Sequence, residues 1–66
     1  MATELVCQFS YKDWKVEIYK YNSRSFDPRC FDPSGREHLV EGTWVDQTEA
    51  EKRAMIYIDH CLSQQE

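Results

Sequence analysis

An α+β fold, an antiparallel β-meander of three or four strands packed against one C-terminal α-helix, is predicted by three features of this sequence. Apolar residues alternate on both sides of Lys12-Asp13, turn residues punctuate the middle of the chain, and a helical apolar stripe follows a capping sequence near its end. With 66 residues, the chain falls below the usual ~100–200 residues of a domain, so residues 1–66 read as a single domain. A chain this short buries only about 60% of its unfolded surface, and large side chains must supply its core. Nine aromatic residues answer that need.

The first two strands form a hairpin. Leu5, Cys7, Phe9 and Tyr11 alternate with Val6, Gln8 and Ser10, and the phase resumes after Lys12-Asp13 as Trp14, Val16 and Ile18. Reversal at Lys12-Asp13 sets Tyr11 against Trp14, Phe9 against Val16 and Cys7 against Ile18, all apolar and on one face. The same register sets Gln8 against Glu17, Ser10 against Lys15 and Val6 against Tyr19 on the other, mixed face. Lys-Asp is not a favoured two-residue turn, so a wider loop with the same register is the alternative.

In the middle of the chain, Phe26-Asp27-Pro28 and Phe31-Asp32-Pro33 form a short repeat five residues apart. Asp32-Pro33-Ser34-Gly35 has type I turn chemistry and predicts a second hairpin, with a short strand at Arg29 to Phe31 and a longer one from Glu37 to Trp44. Pro28 restricts the short strand to an edge, and residues 22–28 read as the most irregular segment. The faces occupied by Leu39 and Val40 stay open. Gly42 marks a bulge or a close backbone approach, with the helix as the expected neighbour.

Thr48-Glu49-Ala50-Glu51 is a capping box and predicts a helix beginning near residue 49. Ala50, Ala54, Tyr57, Ile58, Cys61 and Leu62 then share one stripe, opposite Glu49, Lys52, Arg53, Asp59, His60 and Ser63. Sixteen helical residues span about 24 Å, enough to lie along the whole first hairpin. Ile56 projects onto the polar side, near Met55 at the edge of the stripe.

Charge and composition exclude several functions. The net charge of −4 and a pI near 5 oppose nonspecific phosphate binding. The acid is concentrated in residues 37–66, which sum to −5, whereas residues 1–36 sum to +1. No apolar run reaches the ~18 residues of a membrane span, and the start lacks the regions of a signal peptide; with an odd number of scattered cysteines (Cys7, Cys30, Cys61), this reads as a cytoplasmic protein with reduced thiols. Cys and His lack metal-ligand spacing, no glycine loop could cradle a phosphate, and no residues suggest a nucleophile with its base. No cofactor, metal or catalytic residue is implied, and the chain reads as a non-enzyme.

Two pieces resemble known families. Trp14-Lys15-Val16-Glu17-Ile18, and Gly42-Thr43-Trp44 followed by Thr48-Glu49-Ala50-Glu51 and Tyr57-Ile58-Asp59, resemble the AP2 DNA-binding domain and its relatives in integrase N-terminal regions, over about a third of the chain. That resemblance implies a three-stranded sheet backed by one helix, with Lys12, Lys15, Arg24, Arg29 and Arg36 as nucleic-acid contacts. The sequence departs from the family in lacking its arginine-rich readout strands. Glu17-Ile18-Tyr19-Lys20 and the elements after it resemble the small YegP-like domains, which bring no known site.

By elimination, the expected function is a protein–protein interaction or regulatory module, its partner another protein or a second copy of itself; nucleic-acid binding through the sheet ranks second. Phe9, Tyr11, Trp14 and Tyr57 are needed in the core. Tyr19, Tyr21, Phe26 and Phe31 are surplus to it and, with Arg24 and Arg29, form the candidate partner-binding set.

Overall fold

A computed structural model describes residues 3–64. Four strands, β1 (Glu4–Tyr11), β2 (Trp14–Asn22), β3 (Ser25–Phe31) and β4 (Glu37–Leu39), are followed by one helix, α1 (Gln47–Ser63). The strands form one antiparallel sheet in the order β1-β2-β3-β4, the predicted meander.

β1 and β2 pair in the predicted register from Tyr11↔Trp14 through Cys7↔Ile18. The turn is the two-residue one. Lys12 and Asp13 both take positive φ, 51° and 71°, as a type I′ turn requires, although neither is glycine. Beyond Cys7 a bulge adds one residue to β1, so Leu5 rather than Val6 opposes Tyr19.

The middle of the chain is more regular than its composition predicts. Residues 22–28 are not an irregular loop: Asn22 pairs with Ser25 across the β2–β3 turn, and β3 runs from Ser25 through Pro28 to Phe31. Pro28 therefore lies in an inner strand, and the parity of the sheet explains how. Phe26 exchanges both backbone hydrogen bonds with Trp44 (2.7 and 3.0 Å), so its N–H points away from β2. The nitrogen of Pro28, two residues on, points the same way. Directly opposite, the chain has left the sheet, since β4 ends at Leu39 and pairing resumes only at Trp44. No ladder bond is lost at proline, and the strand predicted from Glu37 to Trp44 is broken where proline cannot donate. Gly42 lies in this detour at φ +103°; the Trp44 ring, not the helix, is its close neighbour, at 3.3 Å from where a Cβ would sit.

The helix starts two residues earlier than predicted. Asp46 is its N-cap, accepting from the Thr48 N–H at 3.3 Å, while its carbonyl accepts the Ala50 N–H. Asp46 and Glu49 have the same cap-x-x-Glu spacing as Thr48 and Glu51, and a carboxylate caps well at the positive end of the helix dipole. Glu51, freed from capping, accepts from Gln47 and from the Cys7 thiol.

One face of the sheet carries the core. Trp14, Val16 and Ile18 of β2 and Phe26, Pro28 and Cys30 of β3 are buried against Ala50, Ala54 and Ile58 of α1. Phe9, Tyr11, Trp44, Tyr57, Cys61 and Leu62 close its margins. The helix lies over β3 and β2 rather than along the first hairpin, and reaches β1 through Cys7–Glu51 and Tyr11–Asp59. Ile58, fully buried at the centre, contributes its whole side chain to this core. Ile58→Ala should cost about 2–5 kcal/mol, enough to leave so small a domain largely unfolded, as thermal denaturation followed by tryptophan fluorescence will show. The opposite sign is expected at the turn: Asp13→Gly relieves a left-handed conformation and should raise stability by roughly 0.5–1 kcal/mol in the same measurement.

Candidate functional site

The face of the sheet away from the helix is open to solvent, and alternation decides what it displays. Lys15, Glu17 and Tyr19 of β2 point there because Trp14, Val16 and Ile18 point inward. Register then sets Lys15 beside Phe31, Glu17 beside Arg29 and Tyr19 beside Asp27, with Leu39 next to Arg29 and Glu37 next to Phe31 on the far side.

Arg29 is the centre of this face. Its guanidinium carbon lies 4.5 Å from the centroid of the Tyr19 ring, a cation–π contact. Asp27 is 3.6 Å from its Nε and Glu37 3.9 Å from its Nη1. These are ion-pair distances, too long for hydrogen bonds, and the buried Nε–H has no hydrogen-bond partner. The Tyr19 hydroxyl donates to Glu17 at 2.7 Å, and the Lys15 ammonium lies 3.2 Å from the same carboxylate. The Tyr19 hydroxyl first, and Lys15 after it, hold Glu17 below the usual carboxylate range, and the same hydrogen bond raises the Tyr19 phenol. Tyr21 donates to Asp27 at 3.0 Å. Between Tyr21 and residues 39–43 lies a shallow hollow of about 490 Å³, with Asp27 and Arg29 in its lining. Leu39 at its rim is 65% exposed and Tyr21 43%.

Of the residues predicted to bind a partner, Tyr19, Tyr21, Arg29 and Phe31 come together on or beside this face. Arg24 is exposed in the β2–β3 turn, its N–H donated to Asn22. Phe26 is a correction: it is core, 9% exposed, because Lys20↔Phe26 pairing places it on the helix side. Glu17, Asp27, Glu37 and Leu39 were missing from the predicted set, although carrying β2's alternation across to β3 would have found the first two.

The five cations proposed as nucleic-acid contacts do not converge. Lys12 is paired with Asp59 at 2.8 Å, Lys15 with Glu17 and Arg29 with Asp27 and Glu37. Arg36 lies in the β3–β4 turn and Arg24 in the turn at the opposite end of the sheet.

A second polar cluster ties that first end together. Asp32 Oδ1 accepts from the Ser34 hydroxyl (2.7 Å) and from the Ser34 and Arg36 N–H groups, while Oδ2 meets His38 Nε2 at 2.9 Å. His38 Nδ1 lies 3.0 Å from the Tyr57 hydroxyl, and the imidazole is 4.9 Å from the Trp14 ring. The tautomer that satisfies both contacts has Nε2 protonated and Nδ1 accepting from Tyr57. This cluster links turn, sheet and helix. Burial first, and Cys61 after it, raises the Tyr57 phenol, which keeps it a neutral donor. Burial pushes the Cys30 thiol up to about 11, which leaves it inert. Among the described residues, no group of three His, Cys, Asp or Glu side chains is placed to hold a metal ion, and no helix is long and apolar enough to cross a membrane.

Asp32 is held well below the usual carboxylate range, by the Ser34 hydroxyl first and then by His38, and Lys12 and Tyr11 similarly lower Asp59. A carboxyl depressed by folding stabilises fully above its unfolded pKa near 4, and that stability is lost as pH falls toward the folded value. The melting temperature should therefore hold from about pH 8 to pH 5 and drop below about pH 4, with Asp32→Asn flattening the acid limb of a calorimetric pH series. No family model, curated protein or solved structure matches the chain.

Proposed function

We propose that the protein is a non-enzymatic interaction module that holds a protein partner on its open sheet face. The observation that supports this most is the Tyr19–Arg29 stack beside an open hollow rimmed by Tyr21 and Leu39. Tyrosine and arginine are the residues enriched at binding hot spots, and here the guanidinium is held in place by the Tyr19 ring and the Asp27 and Glu37 carboxylates.

Charge selects among partners. Glu17, Asp27 and Glu37 on the face and Glu41 at the hollow outnumber Lys15 and Arg29, so the complementary surface is apolar with basic residues rather than a phosphate backbone. The three cysteines are free thiols, which suits the reducing cytoplasm.

Affinity capture from native extract, followed by titration of the purified partner, tests this reading. Tyr19→Ala and Arg29→Ala should each weaken binding by about 30-fold, a hot-spot loss of roughly 2 kcal/mol, while both variants keep cooperative thermal unfolding. Binding that survives both substitutions would overturn the reading. Tight binding of DNA or RNA that weakens steeply between ~50 and ~200 mM salt would overturn it in favour of the nucleic-acid alternative.

A further inference from the structure

The open face leaves another surface unexplained: the outer edge of β1. We infer that β1 is the pairing edge of a symmetric dimer, in which two copies join antiparallel about Phe9 into one eight-stranded sheet. This does not depend on the partner proposed for the open face.

Strand geometry supplies the unpaired groups. A two-residue turn closes on the pair Tyr11↔Trp14, which exchanges both its hydrogen bonds; Phe9↔Val16 and Cys7↔Ile18 do the same. The intervening residues, Gln8 and Ser10, must then point their N–H and C=O groups away from β2, to the free edge. The reciprocal Phe26–Trp44 bonds agree with this parity two strands away.

Little guards this edge. β1 contains no proline, lysine or arginine, and its only charge is Glu4 at its start. Edge strands normally carry such residues to block sheet extension. The one device present is the bulge between Leu5 and Cys7, which ends regular pairing there and leaves Cys7 to Tyr11 as the template.

That five-residue template matches itself. Centred on Phe9, antiparallel pairing sets Gln8 against Ser10 of the second copy twice over, for four backbone hydrogen bonds. On the helix side it sets Phe9 against Phe9 and Cys7 against Tyr11, and no like charges are opposed between the two strands themselves. The two-fold axis is perpendicular to the sheet, so both helices fall on one side. There the half-buried Met55, on the same helix row as Glu51 and Asp59 that contact β1, extends the apolar flank from Phe9 toward the second copy.

Sedimentation equilibrium of the full chain from micromolar to millimolar concentration tests the inference. The mass should rise from 7.9 kDa toward twice that value. Gln8→Pro removes two of the four bonds without touching the β1–β2 ladder, and should weaken association roughly tenfold or more with tryptophan fluorescence unchanged. Gln8→Lys with Ser10→Lys opposes like charges in this register and should abolish the dimer, whereas Gln8→Lys with Ser10→Glu should retain it. A strictly monomeric wild type, or a dimer indifferent to all three variants, would overturn the inference.

Discussion

The fold depends on the register of β2. This strand pairs with β1 on one side and β3 on the other, and its alternation is strict: Trp14, Val16 and Ile18 are buried, while Lys15, Glu17 and Tyr19 face away from the helix. Because the side-chain period is two, a slip of one residue would send its whole apolar set into water and three polar side chains into the core. The sheet has only one covered face, so β2's phase decides which residues of β1 and β3 can meet the helix. Ala50 and Ala54 are the complement to that decision. Their small side chains let the helix backbone come down onto β2 and β3, close enough for the Cys30 thiol to reach the Ala54 carbonyl at 3.8 Å.

The parts of the fold legible in the sequence were those in which two signals agreed. Two alternations converged on the first hairpin, and a cap followed by an apolar stripe marked the helix. The β2–β3 hairpin carried no comparable agreement, because its two-residue turn is Ser23-Arg24, without glycine or proline. Pro28 also argued against an inner strand. Proline is excluded only where a ladder needs its N–H, and that need was removed by a detour of residues 40–43 whose one local signal, Gly42, did not show that the strand breaks there. The irregular stretch of the chain is therefore one segment later than its composition suggests.

The candidate site was half legible for a related reason. The repeat Phe26-Asp27-Pro28 and Phe31-Asp32-Pro33 looks like two equivalent aromatic anchors. Within a strand, however, an odd spacing of five residues puts the two phenylalanines on opposite faces. Phe26 goes under the helix, beneath the Lys20 ammonium at 5.8 Å, and Phe31 goes outward, where Lys15 sits at the same distance. The two Asp-Pro pairs diverge as well. Asp32 organises a turn, whereas Asp27 lies in mid-strand and holds Tyr21 and Arg29. Recognising Tyr19 as surplus to the core needed only β2's phase; placing Arg29 and separating Phe26 from Phe31 needed the register of β3.

Both surfaces proposed for binding follow from the mismatch between four strands and one helix. Four strands about 4.8 Å apart are ~14 Å across between their outer axes, whereas a helix with its side chains is ~10–12 Å wide. Centred over β2 and β3, α1 cannot cover both margins. On the β4 side the gap is closed by Trp44, which pairs back onto Phe26, and by the His38–Tyr57 hydrogen bond. On the β1 side polar contacts, Cys7–Glu51 and the Asp59 carboxylate with Tyr11 and Lys12, bridge to the helix, and Phe9 between them stays half-buried. The open face and the β1 margin are what the single helix leaves uncovered, so the same shortage of layers that limits the core also provides the surfaces proposed for binding.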